Sequence, residues 1–275
     1  MNYKEAYLLG KDKLVSAGII DADYDARYLL EFVCKTDRNT LYMYPDKVLS
    51  TQEEQDYLSY IMKRADRIPL QHITNEQEFM GLGFFVNEHV LIPRQDTETL
   101  VEEVLRYLHD GMKILDMCTG SGCILLSLLK YSNACEGVGV DISADALEVA
   151  KENARRLSLA PQWINSNLFE NVEGTFDIIV SNPPYIKTDV IENLEPEVKD
   201  HEPFIALDGD TDGLKFYRII SKDARKHLLR GGMLFFEIGH DEKDEVVTIM
   251  EEEGYREVTA LKDLAGNDRV VFGTF

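Results

Sequence analysis

Apolar positions recur at helical spacing over the first seventy residues, and beyond residue 110 the chain alternates between strand and helix patterns. Ala6, Leu9, Lys13 and Leu14 follow an Asn2 start, and Ala26, Leu29, Leu30 and Val33 form the stripe of a second helix over Ala22–Cys34. Thr51-Gln-Glu-Glu54 has the spacing of a capping box, in which Thr51 satisfies a free backbone N–H and Glu54 reaches back. It opens a helix through Tyr57, Leu58, Ile61 and Met62 that Pro69 ends. Residues 78–86 then read as a short hairpin with glycines at its turn. Asp96 or Thr97 caps a following helix that carries Leu100, Val101, Val104, Leu105 and Leu108.

From Gly111 on, strands are expected at Lys113–Met117, 137–141, Gln162–Asn165, Phe176–Ser181 and 232–237. Helices are expected at 122–129, Ala144–Leu157, 213–229 and 242–253. Two last strands, 257–261 and 269–274, can pair around Ala265-Gly-Asn267. Strands separated by helices predict a doubly wound, Rossmann-like α/β domain with a mainly parallel sheet. The expected organisation is a small all-helical domain over 1–75, a β-hairpin linker over 76–95 and the α/β domain over 96–275. Residues 183–212 form a long irregular excursion, a length that in compact domains often carries function.

Hydrophobic residues make up 44% of the 275 positions, enough for a core and too many for a disordered chain. No apolar run approaches the ~20 residues of a membrane span, and the N-terminus lacks the basic-then-apolar order of a signal peptide. A cytoplasmic location is expected. Asp and Glu number 50 against 29 Lys and Arg, a net charge of −21. That surface repels phosphate backbones at long range, so unassisted binding to naked nucleic acid is disfavoured. Cys34, Cys118, Cys123 and Cys135 form no Cys-x-x-Cys pair, and no metal is expected.

Chemistry concentrates at three strand ends. Asp116-Met-Cys-Thr-Gly-Ser-Gly-Cys123 lies between the first strand and its helix, where glycines allow a ligand to approach the backbone. Asp141 ends the second strand, where a carboxylate can accept both hydroxyls of a ribose. Gly120-Ser-Gly122 lacks the third glycine of a dinucleotide fingerprint, and no Walker-type Gly-Lys-Ser is present. S-adenosylmethionine fits better: Asp141 suits its ribose, and the acidic Asp116 suits a cationic amino-acid moiety. Ser181-Asn-Pro-Pro-Tyr-Ile186 follows the fourth strand. Two prolines fix the backbone and keep their carbonyls as acceptors. The Asn182 oxygen and the Pro183 carbonyl can then hold a planar –NH2 group, with Tyr185 offering a ring to stack on it.

The chain resembles the peptide chain release factor glutamine-N5 methyltransferases. The resemblance rests on the helical first domain, the hairpin, Leu91-Ile-Pro-Arg-Gln-Asp-Thr-Glu98, the glycine loop, Asn182-Pro-Pro-Tyr-Ile186, and Glu202-Pro-Phe-Ile-Ala-Leu207 leading into Asp212-Gly-Leu214. It implies an S-adenosylmethionine methyltransferase domain in which Cys118, Thr119, Gly120, Ser121 and Gly122 wrap the methionine part of the cofactor. Asp141 would hold the ribose, and Asn167 and Leu168 would flank the adenine. Asn182 would touch both cofactor and substrate, while Pro183, Pro184 and Tyr185 complete the amide pocket. The implied substrate is the glutamine of the release factor's Gly-Gly-Gln motif, and the products are N5-methylglutamine and S-adenosylhomocysteine. The first domain would help recognise the release factor, and a monomer is expected. Many relatives carry Asp at position 167 and Gly at 118, and a Cβ at 118 is expected to require a negative φ. Arg94 either contacts substrate or pairs with a carboxylate, and Glu237 ends the fifth strand near the crevice. A ribosomal-protein glutamine, an adenine-N6 in nucleic acid, and a non-catalytic adaptor are the competing readings.

Overall fold

The computed structural model describes residues 1–275. In chain order the helices are α1 (Tyr3–Ser16), α2 (Ala22–Cys34), α3 (Arg38–Met43), α4 (Thr51–Ala65), α5 (Leu70–Thr74), α6 (Glu98–Tyr107), α7 (Cys123–Tyr131), α8 (Ala144–Leu157), α9 (Thr188–Ile191), α10 (Pro196–Lys199), α11 (Phe204–Leu207), α12 (Lys215–Ala224) and α13 (Lys243–Glu252). The strands are β1 (Glu76–Phe79), β2 (Leu82–Phe85), β3 (Lys113–Met117), β4 (Glu136–Asp141), β5 (Gln162–Asn165), β6 (Phe176–Ser181), β7 (Leu228–Glu237), β8 (Arg256–Lys262) and β9 (Asp268–Thr274). They divide between two compact units. One is Met1–Asn75 with Glu195–His201; the other is Glu76–Leu194 with Glu202–Phe275. No helix is long and apolar enough to cross a membrane.

The first unit is helical. Asn2 and Glu5 close a capping box that starts α1. The buried face of α1 is Tyr3, Ala6, Gly10 and Leu14, whereas Leu9 faces outward. The shift has a steric cause: Tyr57 packs across Gly10, where any Cβ would strike its hydroxyl, and donates to the Ala26 carbonyl at 3.2 Å. The capping box of α4 is Ser50–Glu53, one residue earlier than Thr51–Glu54. Glu54 instead takes the N-terminal ammonium at 2.5 Å. A buried ion pair joins Arg64 Nε to Asp25 at 2.6 Å, and Arg64 and Arg67 both reach Glu197, at 2.9 and 2.7 Å. Those contacts fasten the 195–201 segment to the helices.

The second unit is a seven-stranded sheet in the order β5-β4-β3-β6-β7-β9-β8. Strands β5 to β7 run parallel, and β9 runs antiparallel to both β7 and β8. This is the doubly wound sheet that the alternation predicts. The helix expected over 213–229 stops at Ala224, because Leu228 pairs with Phe176 and already belongs to the sheet. Gly231, at φ 83, lies in the irregular part of β7. Neither Asp96 nor Thr97 caps α6 with its side chain: residues Gln95–Thr97 form a 3-10 turn, Thr97 is buried, and Asp96 pairs with Arg269 at 3.3 Å. The β1–β2 hairpin turns at Met80-Gly81, both left-handed, as a two-residue turn of this twist requires. Phe79 and Phe84 bury fully in one core with Leu100, Ile124 and Phe235, so the segment expected as a linker packs into the α/β unit.

Candidate active site

Strand β3 has β4 on one side and β6 on the other, and in such sheets the crevice where the chain order reverses is the usual ligand site. Met117 and Ser181 stand opposite each other at the ends of β3 and β6, joined by a 2.7 Å bond from the Ser181 hydroxyl to the Met117 carbonyl. The residues that follow them, Cys118 and Asn182, thereby emerge side by side. A cavity of about 930 Å³ opens there, bordered by both.

The glycine loop is held from below. Asp116 is completely buried, takes the Thr119 hydroxyl at 2.5 Å, and does not border the cavity. Burial pushes its carboxyl up to about 7, so it lies under the loop as a support rather than beside a ligand. Cys118 adopts φ 62, contrary to the negative φ expected of a residue with a Cβ. Such a conformation costs on the order of 1 kcal/mol, and the Cys118 side chain offsets it by packing against the core. Gly120 is left-handed too, and an added Cβ would meet no atom within 4 Å. Its backbone is therefore open to the cavity. Gly122 starts α7 at φ 78, packed against Trp163, and does not border the cavity.

Asp141 links this loop to β4. One carboxylate oxygen accepts from the Gly120 N–H at 2.8 Å and the other from the Ser143 N–H at 2.9 Å. Burial raises its pKa against those backbone donors. A carboxylate has about four lone-pair sites, so two remain for a diol. Asn167 and Leu168 border the same cavity. The Asn167 amide N–H2 donates to Glu170 at 2.7 Å, which leaves its oxygen to accept from an amino group. An open glycine backbone, a carboxylate with spare acceptor sites and an oriented amide oxygen together fit S-adenosylmethionine.

The Asn182 side chain has no hydrogen-bond partner within the chain and borders the cavity with Pro184. Pro183 is buried and Tyr185 half-buried, and neither borders it. Tyr185 instead points its hydroxyl at Glu237, 3.3 Å away. The excursion after β6 returns alongside the motif: Ile186 donates to the Leu207 carbonyl at 3.0 Å, and Gly209 to the Ile186 carbonyl at 2.8 Å. Gly209 comes so close to the Tyr185 backbone that a Cβ would lie 2.7 Å from it. Arg94 borders the cavity and also pairs with a carboxylate: its Nη2 meets both oxygens of Glu202, at 2.7 and 2.8 Å. That pair ties Leu91-Ile-Pro-Arg94 to Glu202-Pro-Phe-Ile-Ala-Leu207, two segments that both border the cavity.

Three contributors escape a reading of the sequence. Asn153 on α8 is buried, exchanges two bonds with the Phe85 backbone and donates to the Ser121 carbonyl at 2.9 Å. Its only sequence signal is an amide on the apolar stripe of Ala146, Val149 and Ala150. Phe169 and His227 stack at 5.0 Å and border the cavity, from positions that no local pattern connects.

Residues 94–195 match the methyltransferase small domain, which together with the sheet order and the cavity puts the α/β unit among the S-adenosylmethionine-dependent methyltransferases. The T. thermophilus 16S rRNA N2 G1207 methyltransferase, solved with AdoMet and guanosine, shares the fold with a TM-score of 0.53 at 19% identity, over 72% of this chain and 49% of that one. Residues 5–74 match the PrmC N-terminal domain. The chain belongs to the release factor glutamine methyltransferase family. It is 41% identical over 272 residues to the member from Agrobacterium fabrum, covering 96% of this chain and 94% of that one. Against the member from Clostridium acetobutylicum it is 45% identical over 254 residues, 90% and 89% of the two chains.

Proposed function

We propose that this protein transfers a methyl group from S-adenosylmethionine to the side-chain amide nitrogen of the Gly-Gly-Gln glutamine in peptide chain release factors. The observation that carries the reading is the unpartnered Asn182 amide beside the open Gly120 backbone in one cavity. In this reading, residues 118–121 hold the methionine part of the cofactor, Asp141 the ribose, and Asn167 with Leu168 the adenine. Bound S-adenosylmethionine supplies a methyl group on a positively charged sulfur.

The chain's own work is done on the amide. An amide nitrogen is a weak nucleophile because its lone pair is delocalised. The Asn182 oxygen accepts from its –NH2 group, raises its electron density and stabilises charge that develops on it, while the buried Pro183 fixes the backbone behind it. Pro184 and Tyr185 complete the frame, and the fixed orientation supplies several kcal/mol. The proton leaves to water. Arg94, steadied by Glu202, keeps Nη1 and Nε for a carbonyl of the substrate. The first unit contributes to release-factor recognition, and the protein acts in the cytoplasm as a monomer. The net charge of −21 supports a protein substrate over nucleic acid.

The test is methyl transfer from labelled S-adenosylmethionine to purified release factor, beside the same factor with its Gly-Gly-Gln glutamine changed to Ala. Label on the intact factor alone is expected. Label on neither overturns the substrate, and ribosomal protein and nucleic acid become the next acceptors to assay.

A further inference from the structure

We propose that Glu237 is a positioning residue for methyl transfer, acting through the Tyr185 hydroxyl to hold Asn182 and Pro184 at the cavity. The inference rests on the functional reading above and deepens it.

Glu237 closes β7, and the residue before it, Phe236, stands opposite Ser181 at the end of β6. Its side chain is only 2% exposed. A carboxyl in that place is costly unless it does something an apolar residue cannot. One oxygen takes the Tyr185 hydroxyl, and the other is buried with no hydrogen-bond partner in the chain. Arg269 on β9 offsets the charge and is itself fixed by Asp263 at 3.1 Å and Asp96 at 3.3 Å. Burial pushes the Glu237 carboxyl up, with Thr97, Arg269 and Tyr185 opposing.

Tyr185 is thus gripped at both ends. Its backbone is enclosed by Gly209 and Gly213, at either of which a Cβ would collide with it. Its ring packs against the core that holds Leu115, Leu234 and Phe236, and its hydroxyl ends on Glu237. The ring does not border the cavity, so its effect on the amide must pass through the chain. Pro183 and Pro184 make that transmission stiff, because both have φ fixed near about −65°. A displacement at Tyr185 is therefore carried to Asn182, and about 1 Å of misplacement can cost on the order of a hundredfold in rate.

The experiment measures kcat, KM for release factor and cofactor Kd for Glu237→Ala, Glu237→Gln, Tyr185→Phe and the doubles with Tyr185→Phe. Glu237→Ala is expected to lower kcat about thirtyfold, with cofactor Kd changed less than about twofold. The Ala double should be no slower than its worse parent, because Tyr185→Phe removes only the hydroxyl contact that Glu237→Ala has already removed. Glu237→Gln keeps an acceptor and recovers most of the loss; the remaining deficit, about threefold, should vanish in the Tyr185→Phe background. That last comparison carries the test if the Ala variant does not fold. Losses that multiply in the doubles, or a cofactor Kd that weakens in step with kcat, overturn the proposal. A parental protein that methylates release factor together with a Glu237→Ala variant of equal kcat overturns this inference alone. A parental protein that methylates no release factor overturns the functional reading and the inference with it.

Discussion

The glycine loop and the Asn-Pro-Pro-Tyr segment leave adjacent strands and face one cavity, yet they are held by opposite means. The first is bound by hydrogen bonds of its own polar groups: the Gly120 N–H rests on Asp141, the Thr119 hydroxyl on Asp116, and the Ser121 carbonyl on Asn153. The second has two prolines and is wedged sterically, with Gly209 and Gly213 against its backbone and Glu237 on the Tyr185 hydroxyl. A loop fixed by hydrogen bonds leaves acceptors and open backbone for a polar ligand. A segment fixed by packing leaves a side-chain amide, that of Asn182, unspent for the reacting group. The contrast predicts that damage to the first weakens cofactor binding and damage to the second slows turnover.

The sharpest break of this contrast is Asn182→Ala. It should lower kcat about a thousandfold while cofactor Kd stays within about threefold, since the amide contact matters most in the transition state. Steady-state kinetics beside equilibrium binding decide it, and near-parental turnover would remove Asn182 from the mechanism. Gly209→Ala comes next. Its Cβ must push the Tyr185 backbone, so kcat should fall about a hundredfold with cofactor Kd again near parental. Asp141→Ala is the converse on the other loop: cofactor Kd should weaken about thirtyfold, with a much smaller change in kcat at saturating cofactor. A variant that binds normally but turns over slowly would erase the division between the loops.

The smallest expected effect is on stability. Asp116 is raised to about 7, above its unfolded value near 4, so its neutral form is the one favoured in the fold. Its stabilising share is complete below about pH 4 and is lost as pH rises through about 7. Asp116→Asn keeps an acceptor for Thr119 and removes the titration. Its unfolding free energy should fall less than the parent's between about pH 4 and 7, measured by denaturant titration. A variant with the parental slope would show that Asp116 titrates as an exposed acid does.

Much of the site was legible because its chemistry is local. Strand, glycine loop and helix are consecutive, so their order placed residues 118–122 at a strand end, and the same logic placed Asp141 and Asn182. Position 118 went the other way. The sequence offers a side chain where a left-handed backbone favours glycine, and only core packing around Cys118 lets φ 62 stand. The α4 cap lies one residue earlier than Thr51–Glu54: both pairs satisfy the local pattern, and in the fold Ser50–Glu53 forms the box. Helix α12 ended early because Leu228 is apolar enough for either a helix or the sheet, and pairing with Phe176 settles it.

By itself, then, the sequence determined the alternation of strand and helix, the helical first unit and the residue types at three strand ends. Those depend on periodicity and on neighbours within a few positions of each other. The tertiary structure decided which ends meet and which way their side chains turn. Arg94 finds Glu202, Tyr185 turns from the cavity to Glu237, and Asn153 supports the glycine loop. Each such choice is a competition between burying a polar group and satisfying it, and its partner lies far along the chain.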